Sequence, residues 1–211
     1  MLIELKNIIP EPIPKKIVKS SEVWGRNLRI EANSRVLISA QSGMGKSTLL
    51  HIIYGLRKDY LGKLLINGKS IREYSYEEWE NFRKKFSSMV FQDLRLFPHL
   101  TAKQNIELLP EVNNTAPSIG EMTVKLGVES CLKQSISTLS HGQRQRIAII
   151  RALRKPFTLL MLDEPFSHLD EENQKHASQL IQEVVKGNAA GLILSSLGST
   201  PALSFDQHIS L

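Results

Sequence analysis

The chain of 211 residues holds one cysteine, Cys131, so no disulfide can form within it and a reducing compartment is expected. Long apolar runs are also missing. Nothing approaches the roughly 20 consecutive apolar residues of a membrane-spanning helix. Met1 to Lys6 lacks a charged segment followed by an apolar one, so no secretory signal is expected. No internal repeat or low-complexity tract is visible. Acidic residues are in deficit, 21 against 27 Lys+Arg, for a net charge of +6. The basic residues are scattered rather than gathered into one tract, which fits a solvated surface better than a nucleic-acid track. Aromatics are scarce at 6%, and Trp24 is the only one before Tyr54. Hydrophobic residues nevertheless make up 41%, enough to pack the core of one domain, with or without a smaller insertion.

Apolar patterning divides the chain. Pro10, Pro12 and Pro14 punctuate the first part and favour edge strands and turns over helix. Arg35 to Ser39 reads as a buried strand, and Lys46 to Gly55 as a helix with Leu49, Leu50, Ile53 and Tyr54 at helical spacing. Lys63 to Gly68 predicts a strand entering an Asn67-Gly68 turn, Tyr76 to Lys85 a charged helix, and Ser87 to Phe91 another strand. From Asp93 to about Lys155 the pattern is mostly helical, with loop signals at Pro98, Asn113-Asn114 and Pro117. Thr158 to Leu162 and Gly191 to Ser195 suit central strands of a parallel sheet, joined by a helix from Glu171 to Lys186. A last strand follows from Phe205, and with the sequence ending at Leu211 no further regulatory domain is expected.

Between the first buried strand and its helix lies Ala40-Gln41-Ser42-Gly43-Met44-Gly45-Lys46-Ser47-Thr48. Strand, glycine-containing turn and helix N-terminus in that order form a cradle of backbone N–H groups for a polyphosphate. Gly43 and Gly45 permit positive φ and close approach of the backbone. Lys46 is expected to bridge β- and γ-phosphates, Ser47 to ligate Mg²⁺ and Thr48 to meet the α-phosphate. Ala40 stands where the pattern usually has its first Gly, a change expected to adjust the loop without abolishing binding. A second site lies on the strand Leu159 to Asp163, whose carboxylate emerges at the C-terminal edge of a parallel sheet. Asp163 is placed to hold the metal, through water, and Glu164 to act as general base on the attacking water.

The segment Leu139-Ser140-His141-Gly142-Gln143-Arg144-Gln145-Arg146, placed before Leu159 to Pro165, resembles the nucleotide-binding subunit of ATP-binding cassette (ABC) transporters, and the resemblance covers nearly the whole chain. It implies an α/β fold: a P-loop NTPase (RecA-like) core with an N-terminal antiparallel β subdomain and an inserted helical subdomain. The expected division is 1–92 and 156–211 for the core and β subdomain, with 93–155 helical. The resemblance further implies that Ser140, Gly142 and Gln143 reach the γ-phosphate held by a second subunit, so that a homodimer or heterodimer encloses two ATP molecules. Gln92 matches the family's Gln loop, as a nucleotide contact and a Mg²⁺ ligand. Ser167-His168-Leu169-Asp170 matches the loop that communicates across the dimer.

Two departures carry expectations of their own. The family's switch His is absent, with Ser196 or Leu197 in its place, so hydrolysis is expected to be slow or partner-dependent. His141 replaces the commoner Gly and is expected to point away from the phosphates. The base-stacking aromatic is not evident, and packing is the favoured role for Trp24. The implied function is an ATP-binding and ATP-hydrolysing subunit that drives a membrane permease, peripheral on the cytoplasmic face of the membrane, with nucleic acid not expected as a partner. Lys69 to Val90 resembles cassettes of lipoprotein release, macrolide export and cell division, whereas Asp163 to Asp170 resembles importers, so direction stays open. The alternatives are a soluble ATPase acting on nucleic acid or ribosomes, and a regulator of a membrane enzyme.

Overall fold

A computed structural model describes residues 1–31, 33–109, 112–197 and 202–211. The first half runs β1 (Ile3–Pro10), α1 (Lys15–Ser20), β2 (Asn27–Ile30), β3 (Arg35–Ser39), α2 (Lys46–Ile53), β4 (Tyr60–Ile66), β5 (Lys69–Ser70), α3 (Tyr76–Asn81) and β6 (Ser87–Val90). The second half runs α4 (Ala102–Ile106), α5 (Ile119–Lys125), α6 (His141–Arg154), β7 (Leu159–Asp163), α7 (Glu171–Gly187), β8 (Gly191–Ser196) and β9 (Gln207–Ser210). One sheet is antiparallel, in the order β2-β1-β4-β5; the other, in the order β6-β7-β8-β3-β9, is parallel throughout.

The parallel sheet is buried on both faces, and alternation along its strands sorts the side chains between two cores. Leu160, Leu162, Leu192, Leu194 and Leu37 face one core with α6 and α7. Leu159, Met161, Ile193, Val36 and Ile38 face the other, with Leu49, Leu50, Ile52 and Ile53 of α2 and the antiparallel sheet behind them. This period-2 split is what continuous apolar strands produce when both faces are covered. The helical stretch after β6 has no separate core. Ala102, Ile106, Met122, Leu126, Val128 and Cys131 belong to the same cluster as the sheet residues Leu160 and Leu194.

Local chemistry places the helix starts. Ser75, Thr101, Ser118 and Ser140 each cap a helix in a reciprocal box with Glu78, Gln104, Glu121 and Gln143. The N-terminal expectation needs correction: Pro14 precedes a six-residue helix, α1, rather than a turn or edge strand. A proline at the head of a helix loses no intrahelical bond, because the first-turn N–H groups have no partner to give up. The helix expected over Tyr76 to Lys85 also differs, since α3 passes into a π-helical turn at Phe82–Phe86. No described helix is long and apolar enough to cross a membrane.

Candidate active site

The phosphate loop joins the C-terminal end of β3 to α2. Gly43 and Gly45 hold φ of 80° and 101°, in the left-handed region that a β-carbon disfavours. A β-carbon at Gly45 would also come 3.0 Å from the Trp24 ring. Trp24 is itself buried, and its indole N–H donates to the Met44 carbonyl at 3.2 Å, so it braces the loop from behind. It packs, as expected, and offers no face to a base. The backbone N–H groups of Gln41 to Gly45 donate to no other described residue. Lys46 is only 4% exposed, and its ammonium donates to the carbonyls of Ala40 and Gln41 at 3.0 and 3.1 Å. It also pairs with Glu164 Oε1 at 3.2 Å.

The two acids lie where β7 ends, between β6 and β8. Asp163 is 1% exposed; its Oδ1 accepts from the Ser195 hydroxyl at 2.7 Å, and its Oδ2 is buried with no partner among the described residues. Glu164 has φ 49°, a conformation that costs a non-glycine residue roughly 1–3 kcal/mol. Its N–H donates both to the Ser195 carbonyl at 3.2 Å and to the Ser195 hydroxyl at 3.1 Å. Gln92 follows β6, and its Oε1 accepts from Ser47 Oγ at 3.3 Å. Gln92, Asp163, Asp93, Arg95 and His51 line one small cleft. Burial pushes the His51 imidazole pKa down, with Asp163 opposing. Thr48 Oγ1 accepts from Arg57, whose guanidinium also reaches the Glu11 carbonyl.

These oxygens suit a magnesium ion. An orphaned buried carboxylate oxygen beside a hydroxyl and an amide oxygen is a hard-donor set. Among the described residues no cluster of three or more His, Cys, Asp or Glu could hold a metal alone. That fits an ion completed by phosphate oxygens and water.

The Ser-x-Gly-Gln turn lies elsewhere. Ser140 Oγ accepts from the Gln143 N–H at 3.2 Å and the Ser140 N–H donates to Gln143 Oε1 at 2.9 Å, closing the cap of α6. No hydrogen bond, ion pair or ring contact joins Ser140 to Gln143 with residues 41–48 among the described residues. Their neighbour is the loop after Glu164. A β-carbon at Gly142 would meet the His168 carbonyl at 3.0 Å, and the His141 and His168 rings lie 3.9 Å apart. Burial, then His168 and Arg144, lower the His141 pKa. Buried Gln145 accepts from the His168 N–H at 3.2 Å and donates to the Glu164 carbonyl at 3.1 Å.

The structure thus gathers residues 41–48 with Gln92, Asp163 and Glu164, while Ser140, Gly142 and Gln143 neighbour the loop after Glu164 and share no bond with residues 41–48 among the described residues. The model of the ABC transporter family matches residues 24–167, from Trp24 through the loop after Glu164. The chain belongs to the ABC transporter family. It is an ATP-binding subunit of ABC type and an ATPase. Among similar ABC proteins, the thiamine import ATP-binding protein ThiQ of Haemophilus influenzae is 36% identical over 174 residues, 80% of this chain and 78% of ThiQ. The macrolide export ATP-binding/permease protein MacB of Pasteurella multocida is 33% identical over 186 residues, 86% of this chain but 28% of MacB. The dimeric bacterial ABC cassette MJ0796 superposes with a TM-score of 0.74 at 28% identity, covering 92% of this chain and 87% of that one. A second structure of that cassette, in a post-hydrolysis state bound to ADP and Pi, gives 0.75 at 26% identity, with the same two coverages.

Against the ABC pattern, the end of β8 carries no histidine. Ser196, its last residue, pairs in register with Ser39 and is buried, whereas Leu197 is 53% exposed. His208 lies in β9 opposite Leu37. Four contributors escape a reading of motifs: Ser195, Gln145, Arg57 and His51. Only His51 left a signal, because it follows Ser47 by one helical turn and so shares its face. The others act through tertiary neighbours distant in sequence.

Proposed function

We propose that the chain binds Mg²⁺–ATP on its own phosphate loop, pairs with a second cassette to enclose the nucleotide, and powers a membrane permease with slow turnover. Support comes chiefly from the buried Asp163 Oδ2, unpartnered among the described residues, beside the Ser47–Gln92 pair and the Lys46–Glu164 pair. Gln41, Ser42, Gly43, Met44 and Gly45 would wrap the phosphates with backbone N–H groups at the head of α2. Lys46 would leave Glu164 for the β- and γ-phosphates, and Thr48 would meet the α-phosphate. Ser47, Gln92 and Asp163 would hold Mg²⁺, which when bound neutralises charge on the phosphates. Released from Lys46, Glu164 would take a proton from the water that attacks the γ-phosphorus, yielding ADP and inorganic phosphate.

Ser140, Gly142 and Gln143 present a capped helix N-terminus away from their own loop, which suits a γ-phosphate carried by a partner. Residues 93–155 would then be the helical part that carries this turn to the interface. Slow turnover follows from the end of β8: neither Ser196 nor Leu197 can carry a charge against the γ-phosphate at neutral pH. Placement at the cytoplasmic face rests on the permease reading. The test is the mass of the Glu164→Gln variant by light scattering, with and without ATP and Mg²⁺. A nucleotide-dependent dimer is expected, and a monomer under both conditions would refute the sandwich. Ser196→His, assayed with the permease, is expected to raise steady-state turnover; no gain would remove the absent histidine as the cause.

A further inference from the structure

Ser195 joins the two acids of the site through a single hydroxyl group. It lies on β8 directly opposite Asp163 of β7 and is fully buried. A serine hydroxyl has one proton to donate. The Glu164 N–H is a donor, so at 3.1 Å it can only give to Ser195 Oγ, and the hydroxyl proton then goes to Asp163 Oδ1 at 2.7 Å. Donor and acceptor assignments are therefore fixed without reference to any hydrogen position.

We propose that Ser195 is a positioning residue for ATP hydrolysis, setting the rotation of the Asp163 carboxylate with one bond and the direction of Glu164 with the other. The first bond occupies Oδ1 and leaves Oδ2, unpartnered among the described residues, for the metal. The second, shared with the Ser195 carbonyl, holds Glu164 at φ 49°, a conformation it would leave without local support. From there Glu164 reaches Lys46 at 3.2 Å. Gln145 grips the same residue from its other side, by the Glu164 carbonyl at 3.1 Å.

This inference rests on the metal and base roles given above to Asp163 and Glu164, and the experiment separates the two. Binding of Mn²⁺ to the protein with a non-hydrolysable ATP analogue is followed by electron paramagnetic resonance, beside kcat and KM for ATP. Absence of Mn²⁺ binding by the unmodified chain would overturn the metal reading itself. Given that binding, Ser195→Ala is expected to weaken Mn²⁺ about tenfold and to lower kcat roughly tenfold to a hundredfold, the scale of a misaligned catalytic group. KM for ATP is expected to stay within about twofold, because the phosphate loop is untouched. Ser195→Thr keeps the hydroxyl and is expected to restore both quantities. A merely structural hydroxyl would lower the melting temperature and leave kcat and Mn²⁺ affinity alone, and that outcome overturns the proposal. So would Ser195→Thr being as impaired as Ser195→Ala. Should Ser195→Ala not fold, Ser195→Cys, a weak donor of similar size, is expected to fall between the unmodified chain and inactivity, and unmodified values there refute the proposal.

Discussion

The phosphate-loop region and the Ser-x-Gly-Gln turn are both helix N-termini, yet the chain treats them in opposite ways. Around α2 the polar groups are turned inward: Lys46 and Asp163 are almost fully buried and engaged with groups from the loop after β3, the loop after β7, and β8. At the head of α6 Ser140 is exposed, and it and Gln143 are used up by the helix itself, in their reciprocal cap. The first is an assembled site. The second is a surface rigidly backed by its neighbours, with His168 and Gln145 fixing its position relative to Glu164. Burial and pairing in one place, pre-ordering without a partner in the other, are what the proposed two-chain sandwich would need of each chain.

The comparison can be broken most severely at Glu164. Glu164→Gln removes the proton acceptor and is expected to lower turnover about 10²–10⁴-fold, with ATP affinity by equilibrium binding preserved. Loss of nucleotide binding instead would show that the Lys46 pair, not the base, dominates the site. A smaller effect is expected at the outer turn. Gly142→Ala sets a β-carbon 3.0 Å from the His168 carbonyl and is expected to reduce turnover roughly tenfold through the dimer, while the monomer binds ATP normally. Weaker binding by the monomer would mean that the two regions are not independent.

Next comes Trp24→Phe, which keeps the packing behind the loop but deletes the indole donor to Met44. Losing such a bond costs about 0.5–1.5 kcal/mol, so ATP affinity measured by calorimetry is expected to fall roughly three- to tenfold. The smallest effect is electrostatic. His141 has a folded-state pKa below its ordinary 6.5, so the unfolded chain binds more protons as pH falls. Its contribution to stability is present above that value and is lost as pH drops through the lowered one. Between about pH 7.5 and about pH 5.5, His141→Asn is expected to lose less stability in urea titrations than the unmodified chain. Equal losses would show that burial, His168 and Arg144 together leave the His141 pKa where it stands in the unfolded chain.

Much of this is legible in the sequence. The strands Arg35 to Ser39 and Leu159 to Asp163 declare themselves by runs of apolar residues, and the cradle by its glycines, because each signal is local. The start of α1 did not declare itself, since three prolines read as punctuation whether a helix follows or not. Ser195 was hidden for another reason. A serine within an apolar strand looks like filler until register sets it opposite Asp163. Gln145 reads as one polar residue in a basic helix, and only the path of the loop after Glu164 gives it two partners.

The shared core beneath α4, α5 and α6 has a mechanical consequence. A lever that swings needs a seam where few side chains cross, and here Ile106, Met122 and Cys131 are cemented into the same apolar mass as Leu160 and Leu194. That packing leaves α6 no seam along which to part from the sheet, and Gln145 ties the helix directly to the loop that carries Glu164.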